Sequence, residues 1–263
     1  MSVQSQLGKM SMEADGRTAR VSAPSVEGSL VIRLLPGVLS VIAGSTDIIS
    51  FLGLNGLFTA HITGNLILIA AHIVNGSAVG FAHLLSVPVF ILVLGLTRLL
   101  VAGLDAAGIA SLRLLLLLQF LLLAGSLALG VAGPPVAPDA AKAILVGMLG
   151  VSAMAVQNAL VQISVKGAPS TAVMTTNVTR FMMDVGEVLF AKTPTQAAEA
   201  RRRAQHTWPA IVGFIAGAGL GAACFAAVGM RSLALPTSLA LLAVATGLAP
   251  PRINVTQTKY PQL

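Results

Sequence analysis

The sequence predicts an all-α integral membrane protein. We expect about six transmembrane helices and two polar segments that re-enter or break within the membrane, arranged as two structurally similar halves. Three observations lead to this prediction. The 263-residue chain is 56% hydrophobic and only 10% charged, whereas about a quarter of the residues in soluble domains are charged. Its apolar residues form segments long enough to cross a bilayer. The two halves of the chain also share a spaced Thr/Asn motif.

The charged residues exclude most classes of soluble protein. The chain has 16 Lys and Arg and 9 Asp and Glu residues, too few to cover a soluble protein of this size. A soluble enzyme, a disordered protein or a nucleic-acid partner is therefore not expected. Apart from the cluster Arg201–Arg203, most cations stand singly between apolar runs. The net charge of +7 is then typical of residues that flank membrane spans.

Eight apolar segments alternate with turn-rich connections. The segments cover residues 31–53, 56–75, 82–104, 111–132, 140–165, 169–190, 207–230 and 232–249. Breaks are predicted at glycine, proline and asparagine residues, and the stretch from Thr193 to His206 is predicted to be a connection.

These segments form one membrane domain with two polar tails. Residues 1–29 are predicted to be a disordered cytoplasmic tail, and residues 250–263 a short polar tail. Residues 30–133 would form a first membrane repeat and residues 139–249 a second.

The motif Thr59-Ala-His-Ile-Thr-Gly-Asn65 aligns without a gap with Thr171-Ala-Val-Met-Thr-Thr-Asn177. If all eight segments span, the halves are parallel; if both motif segments are re-entrant, six spans remain and the halves are inverted. With six spans and a cytoplasmic N-terminus, Lys142 and Arg231 are the only Lys and Arg residues expected on the outer side of the membrane. The positive-inside rule therefore favours the inverted arrangement.

Polar residues at membrane depth are the candidate substrate or ion site, because such groups are costly in lipid. Asp47 could bind a proton or a cation, or only join two helices. The other candidates could line a solvated site or pack helices together; they are Thr59, His61, Thr63, Asn65, Gln157, Asn158, Thr171, Thr175 and Asn177.

A second group of charges is a candidate gate. Arg180, Asp184 and Glu187 are spaced to share one helix face, where an Arg–Asp pair could hold an anion or lie at the cytoplasmic surface. Gly213, Gly217 and Gly221 form a ridge of small residues for close helix contact, either within the chain or in a homo-oligomer. No metal site, cofactor or catalytic residue is expected.

Several strings resemble the YoaK family of bacterial multi-pass membrane proteins. They are Gly44-Ser-Thr-Asp47, Phe58-Thr-Ala-His-Ile-Thr-Gly-Asn65, Gln157-Asn158 and the second Thr-x-x-x-Thr-x-Asn. The resemblance covers roughly residues 31–249 and implies an integral inner-membrane protein of about six helices. It implies no substrate. The second motif has Thr176 where a glycine is usual for the family.

The leading functional hypothesis is a secondary transporter or permease for a small solute, with its site between the two Thr/Asn segments. The alternative is a membrane scaffold or regulatory subunit that binds a partner through the glycine ridge or through Arg201–Arg203. A channel is a weaker alternative. An enzyme is not expected, since no nucleotide-binding or hydrolase motif is present.

Overall fold

The computed structural model describes residues 30–132, 140–165 and 167–247, and every regular element in these ranges is a helix. The tails predicted at 1–29 and 250–263 lie outside the described residues. The helices are α1 (Leu30–Gly53), α2 (Ile62–Val74), α3 (Phe81–Ala106), α4 (Ser111–Val131), α5 (Ala141–Ser164), α6 (Met174–Phe190), α7 (Pro194–Val228), a 3-10 helix (Gly229–Leu233) and α8 (Ala234–Gly247).

The lengths and apolar compositions of the helices are those of a membrane protein. Five helical stretches of the described residues are long and apolar enough to cross a bilayer: α1, α3, α4, α5 and the run Pro194–Ala245 that joins α7 to α8. α2 is apolar but shorter. The prediction of a helical membrane protein is therefore confirmed at this level.

α1 and α5 form the centre of the molecule. In their most apolar stretches 67% and 72% of the residues are buried, against 17% in α3 and 28% in α4. The two central helices run antiparallel, because Gln157 of α5 bonds to the carbonyl of Leu39 near the start of α1, while Gly150 lies beside Ser50 near the end of α1. Leucine and isoleucine side chains of the outer helices are exposed, as expected for surfaces in contact with lipid.

A glycine seam joins α1 to α7. A Cβ atom at Gly217 would lie 2.3 Å from the carbonyl oxygen of Val41, and one at Gly213 would lie 2.5 Å from that of Gly37. A Cβ atom at Gly221 would lie 2.9 Å from the Cα atom of Ser45 and 3.0 Å from its carbonyl oxygen. The ridge predicted from its spacing therefore packs against a helix of the same chain. The two helices run in the same direction, since residue numbers rise together along the seam.

The predicted connection from Thr193 to His206 is wrong, because these residues are the first turns of α7. The Thr193 side chain accepts a hydrogen bond from the backbone N–H of Gln196, and Pro194 occupies the first turn. Both are favoured at a helix start, and the alanine, glutamate and arginine residues that follow are strong helix formers. The polarity that suggested a loop instead marks a helix that is about 52 Å long at 1.5 Å per residue, more than the bilayer core requires.

The two motif segments are only partly helical. α2 begins at Ile62 and α6 at Met174, so the first residues of the segments predicted at 56–75 and 169–190 are non-helical. In both segments a short non-helical stretch precedes the helix. The chain reverses before α2 at Asn55 and Gly56, which have positive φ angles of 56° and 84°.

Candidate functional site

The first motif segment is closed into a loop by Asn65. Its amide oxygen accepts a hydrogen bond from the N–H of Phe58 at 2.9 Å, and its amide nitrogen donates to the carbonyl of the same residue at 2.8 Å. The amide nitrogen also lies 3.0 Å from the hydroxyl of Ser86 on α3. Asn65 is fully buried. It satisfies backbone groups that have no helical partner, which a buried loop requires.

Asp47 fixes the same loop from α1. One carboxylate oxygen accepts the backbone N–H groups of Thr59 and Ala60, at 2.7 and 2.8 Å, and contacts the Thr59 hydroxyl at 3.3 Å. The other oxygen lies 2.6 Å from Nδ1 of His61. Asp47 is only 4% exposed, so these donors replace the water that a carboxylate would otherwise need.

His61 connects this buried carboxylate with open space. Its side chain is 37% exposed, and its ring lies edge-on to Phe58 and Phe214. The aromatic contacts and the bond to Asp47 hold the imidazole in one orientation. His61 is therefore the half-exposed partner of the carboxylate that anchors the loop.

In the second motif segment Asn177 makes the same bond to the loop backbone as Asn65 does in the first, but a serine hydroxyl replaces the carboxylate as acceptor. The Asn177 amide donates to the carbonyl of Ser170 at 2.6 Å, seven residues upstream, as Asn65 does to Phe58. The Ser170 hydroxyl accepts the N–H groups of Ala172 and Val173, at 3.3 and 2.9 Å. A serine within the loop thus does what the Asp47 carboxylate does for the first loop.

Gln157 supports the second loop from α5. Its amide nitrogen donates to the hydroxyl of Thr171 and to the carbonyl of Leu39, each at 2.9 Å. Its oxygen accepts from Gln119 of α4 at 2.7 Å. Of the two polar residues proposed at this position, Gln157 therefore makes the contact that Asp47 makes in the first half. Asn158 instead donates to the carbonyl of Met154 on its own helix.

The glycine of the first motif and Thr176 of the second differ for a steric reason. A Cβ atom at Gly64 would lie 2.8 Å from the ring of Phe58. In the second motif the residue corresponding to Phe58 is the small Ser170, which leaves room for a threonine side chain. The change from Gly64 to Thr176 between the two motifs is therefore matched by a second change, from Phe58 to Ser170.

A cavity of about 820 Å³ lies between the two motifs. Residues 60–63 of the first motif and residues 172–175 of the second form part of its wall, and the two stretches occupy corresponding positions of the alignment. The rest of the wall is formed by residues of α3 between Phe90 and Arg98 and by residues of α5 between Asn158 and Ile163. Its size is within the usual range for small-molecule sites.

The predicted site residues divide into two groups. Four of them line the cavity: His61, Thr63, Asn158 and Thr175. The others are buried in the loops and helices that support it: Asp47, Thr59, Asn65, Gln157, Thr171 and Asn177.

Arg98 and Gln162 also line the cavity and were not predicted as site residues. Arg98 could have been predicted from the sequence, since it is a single cation within the apolar helix α3. Gln162 could not, because it lies close to the predicted end of its segment.

The charged residues of the candidate gate do not form the expected ion pair between Arg180 and Asp184. Asp184 of α6 accepts a hydrogen bond from Nε of Arg203 on α7 at 2.7 Å, and Glu187 also pairs with Arg203. Arg180 is exposed and takes no part in either of these ion pairs. These pairs join α6 to α7 near the start of α7.

Apolar spanning helices and a cavity between two broken segments define a multi-pass helical membrane protein. The chain belongs to the DUF1275 family, whose sequence model matches residues 35–246 and is described as "Protein of unknown function". This match supports the proposed relationship at the level of the family, and it does not name YoaK. No curated protein and no solved structure matches the chain.

Proposed function

We propose that the protein is a secondary transporter or permease for a small solute, and that the cavity between the two motif segments is its substrate site. The observation that carries the proposal is that residues 60–63 and 172–175, which are corresponding positions of the two motifs, line the same cavity. Broken helices at corresponding places in two repeats are the usual surroundings of a substrate site in secondary transporters.

The proposed architecture is six membrane passes in two inverted halves, α1–α4 and α5–α8. Its support is the pattern of helix contacts. α1 packs on α7 as α3 packs on α5, and α2 packs on α3 as α6 packs on α7. The leading helices of the halves, α1 and α5, are antiparallel, as inversion requires. In this arrangement α2 and α6 are re-entrant half-helices that do not cross the membrane.

The proposed orientation has a cytoplasmic N-terminus in the bacterial inner membrane. Because α1 and α7 run in the same direction, Arg201–Arg203 in the first turns of α7 lie on the same side as the start of α1. Lys142 at the start of α5 lies on the opposite side, since α5 is antiparallel to α1. This distribution follows the positive-inside rule.

Filling the cavity tests whether it carries the solute. Gly95 lies in its wall, and a Cβ atom there would meet no atom within 4 Å. Gly95→Trp would therefore place an indole in the cavity without displacing the backbone. Gly103→Trp is the matched control, because it lies on the same helix, also has open space around its Cβ position and is not part of the wall.

Proteoliposomes with each variant would be offered a pooled panel of small solutes, and uptake would be measured by mass spectrometry. We expect at least one solute to enter with the wild type and with Gly103→Trp but not with Gly95→Trp. Equal uptake by the two variants would exclude this cavity as the path. Absence of protein-dependent uptake of any solute would favour the scaffold alternative.

Asp47 is the proposed coupling residue, and two substitutions separate its charge from its role as an acceptor. Asp47→Asn keeps an oxygen for the N–H groups of Thr59 and Ala60, whereas Asp47→Ala leaves both buried donors unpaired. We expect Asp47→Asn to fold normally and to lose dependence of uptake on an ion gradient. If Asp47→Asn keeps gradient-driven uptake, the carboxylate is only an anchor for the loop.

A further inference from the structure

The charges around the cavity have one sign. Arg98 lies in the wall, and an arginine is always protonated in a protein. None of the ion pairs formed among the described residues includes Arg98. The wall contains no aspartate or glutamate within the described part of the chain. A ligand in the cavity therefore meets a fixed positive charge without a neutralising carboxylate.

The carboxylate that is bonded to the cavity wall is not available to a ligand. Asp47 lies behind His61, is 4% exposed and already receives bonds from the backbone of the loop and from the imidazole. A cation in the cavity would have to compete with these donors. It would also have to approach Arg98, which repels it. The geometry thus disfavours a cationic solute.

The two half-helices add to the same preference. α2 begins at Ile62 and α6 at Met174, and both residues lie in the cavity wall. The first turn of a helix carries partial positive charge from N–H groups without helical partners. Two such ends facing one cavity, in addition to Arg98, favour a negative group between them.

The remaining wall is largely apolar. Phe90, Ile91 and Leu94 of α3 and Ile163 of α5 form one side, while Thr63 and Thr175 supply hydroxyl groups. An inorganic anion would leave the apolar side without a partner. A solute with one anionic group and a short apolar body fits both parts of the wall.

On the basis of the proposed function, we infer that the cavity binds a small organic anion, such as a carboxylate with a short apolar chain. Its negative group lies between Arg98 and the starts of α2 and α6, and its apolar body lies against Phe90, Leu94 and Ile163. The class of solute follows from the charges and the apolar surface of the wall.

Three probes of equal length but different charge test the inference. Hexanoate, hexanamide and hexylammonium would be titrated into the purified full-length protein in a neutral detergent, and binding measured by calorimetry. We expect hexanoate to bind at least about tenfold more tightly than the other two, since a charged hydrogen bond is worth this factor or more. Equal binding of the three probes, or no binding of hexanoate, would overturn the inference.

Substitutions of Arg98 locate the bound anion. Arg98→Gln should weaken hexanoate binding by roughly ten- to a hundredfold, and Arg98→Lys should restore part of it because the charge is kept. Arg202→Gln is the control, as Arg202 is an exposed arginine on α7 outside the cavity. Unfolding temperatures without ligand would show that the variants are folded. If Arg202→Gln and Arg98→Gln weaken binding equally, the anion is not bound in the cavity.

Two further measurements separate the outcomes. Binding of hexanoate without uptake into proteoliposomes would support the anion site and contradict the proposed transport. Uptake of other solutes by the wild type, with no preference for hexanoate over hexanamide in binding, would support transport and contradict the anion site. An anionic phospholipid that displaces hexanoate at a lower concentration than any soluble carboxylate would overturn the assignment to a small solute.

Discussion

The close contact between α1 and α7 predicts that a single methyl group on one glycine destabilises the protein. In Gly217→Ala the new Cβ atom would lie 2.3 Å from the carbonyl oxygen of Val41, and 2.8 and 2.9 Å from its Cα and carbonyl carbon. Non-bonded carbon atoms normally approach to about 3.5–4.0 Å. All three atoms belong to the backbone, so no side-chain rotation relieves the clash, and the two helices have to separate by about 1 Å.

Gly219→Ala is the matched control. It lies two residues away on the same helix, and its Cβ atom would meet no atom within 4 Å. Both substitutions gain the helix propensity of alanine over glycine, which is up to about 1 kcal/mol in an aqueous helix. This gain cancels in the comparison. The difference between the two variants therefore measures the steric cost alone, which we expect to be about 1–3 kcal/mol.

Unfolding in mixed detergent micelles would give the free energies of unfolding of the two variants. The fluorescence of Trp208, the single tryptophan of the chain, reports on α7 itself, and circular dichroism provides a second probe. We expect Gly217→Ala to unfold at a lower denaturant fraction than the wild type and Gly219→Ala at the same fraction or a higher one. A difference below about 0.5 kcal/mol, or the reverse order, would show that α1 and α7 are not packed at this distance.

Three further predictions concern the polar contacts, each checked by unfolding in the same micelles. Asn65→Ala should lower the free energy of unfolding by about 1 kcal/mol more than Asn177→Ala does. The reason is that Asn65 forms three hydrogen bonds to nitrogen or oxygen atoms and Asn177 only one. Equal decreases in the two variants would contradict this. Gln157→Leu should lower the free energy of unfolding by about 1–3 kcal/mol, because it leaves buried hydrogen-bonding partners unpaired. Adding Gln119→Leu to the same chain should recover part of this stability, since removing both partners of a hydrogen bond costs less than removing one. Glu187→Gln should change the unfolding temperature little, because the side chains of Glu187 and Arg203 are both 47% exposed and an exposed ion pair contributes little; a large effect that persists in high salt would refute this.

The hydrophobic segments could be located from the sequence because length and composition alone decide them. The bounds of α1, α3, α4 and α5 lie within two residues of the predicted segments. The start of α7 could not be located in this way. Its first turns project beyond the apolar region, where hydropathy carries no information, and only the Thr193 cap and Pro194 mark the helix start.

The two motifs were visible in the sequence, but their roles were not. Threonine and asparagine residues can line a wet cavity or satisfy the backbone of a buried loop, and both uses require the same residue types. In the structure Asn65 and Thr171 bond to the groups that hold the buried loops, whereas Thr63 lies in the cavity wall. Partners that are distant in the sequence, such as Arg203 for Asp184, leave no local pattern by which they could be predicted.

The main asymmetry between the halves concerns the groups that anchor the two loops. The first loop is held by Asp47 and His61, which can change charge, whereas the second is held by Ser170 and Gln157, which cannot. An ionisable pair is therefore present at the first loop and absent from these contacts of the second. In a transporter with alternating access, an ion gradient has to act more strongly on one conformation than on the other. A carboxylate–imidazole pair present in one half alone provides this difference, which is why Asp47 is a better candidate for coupling than any residue of the second motif.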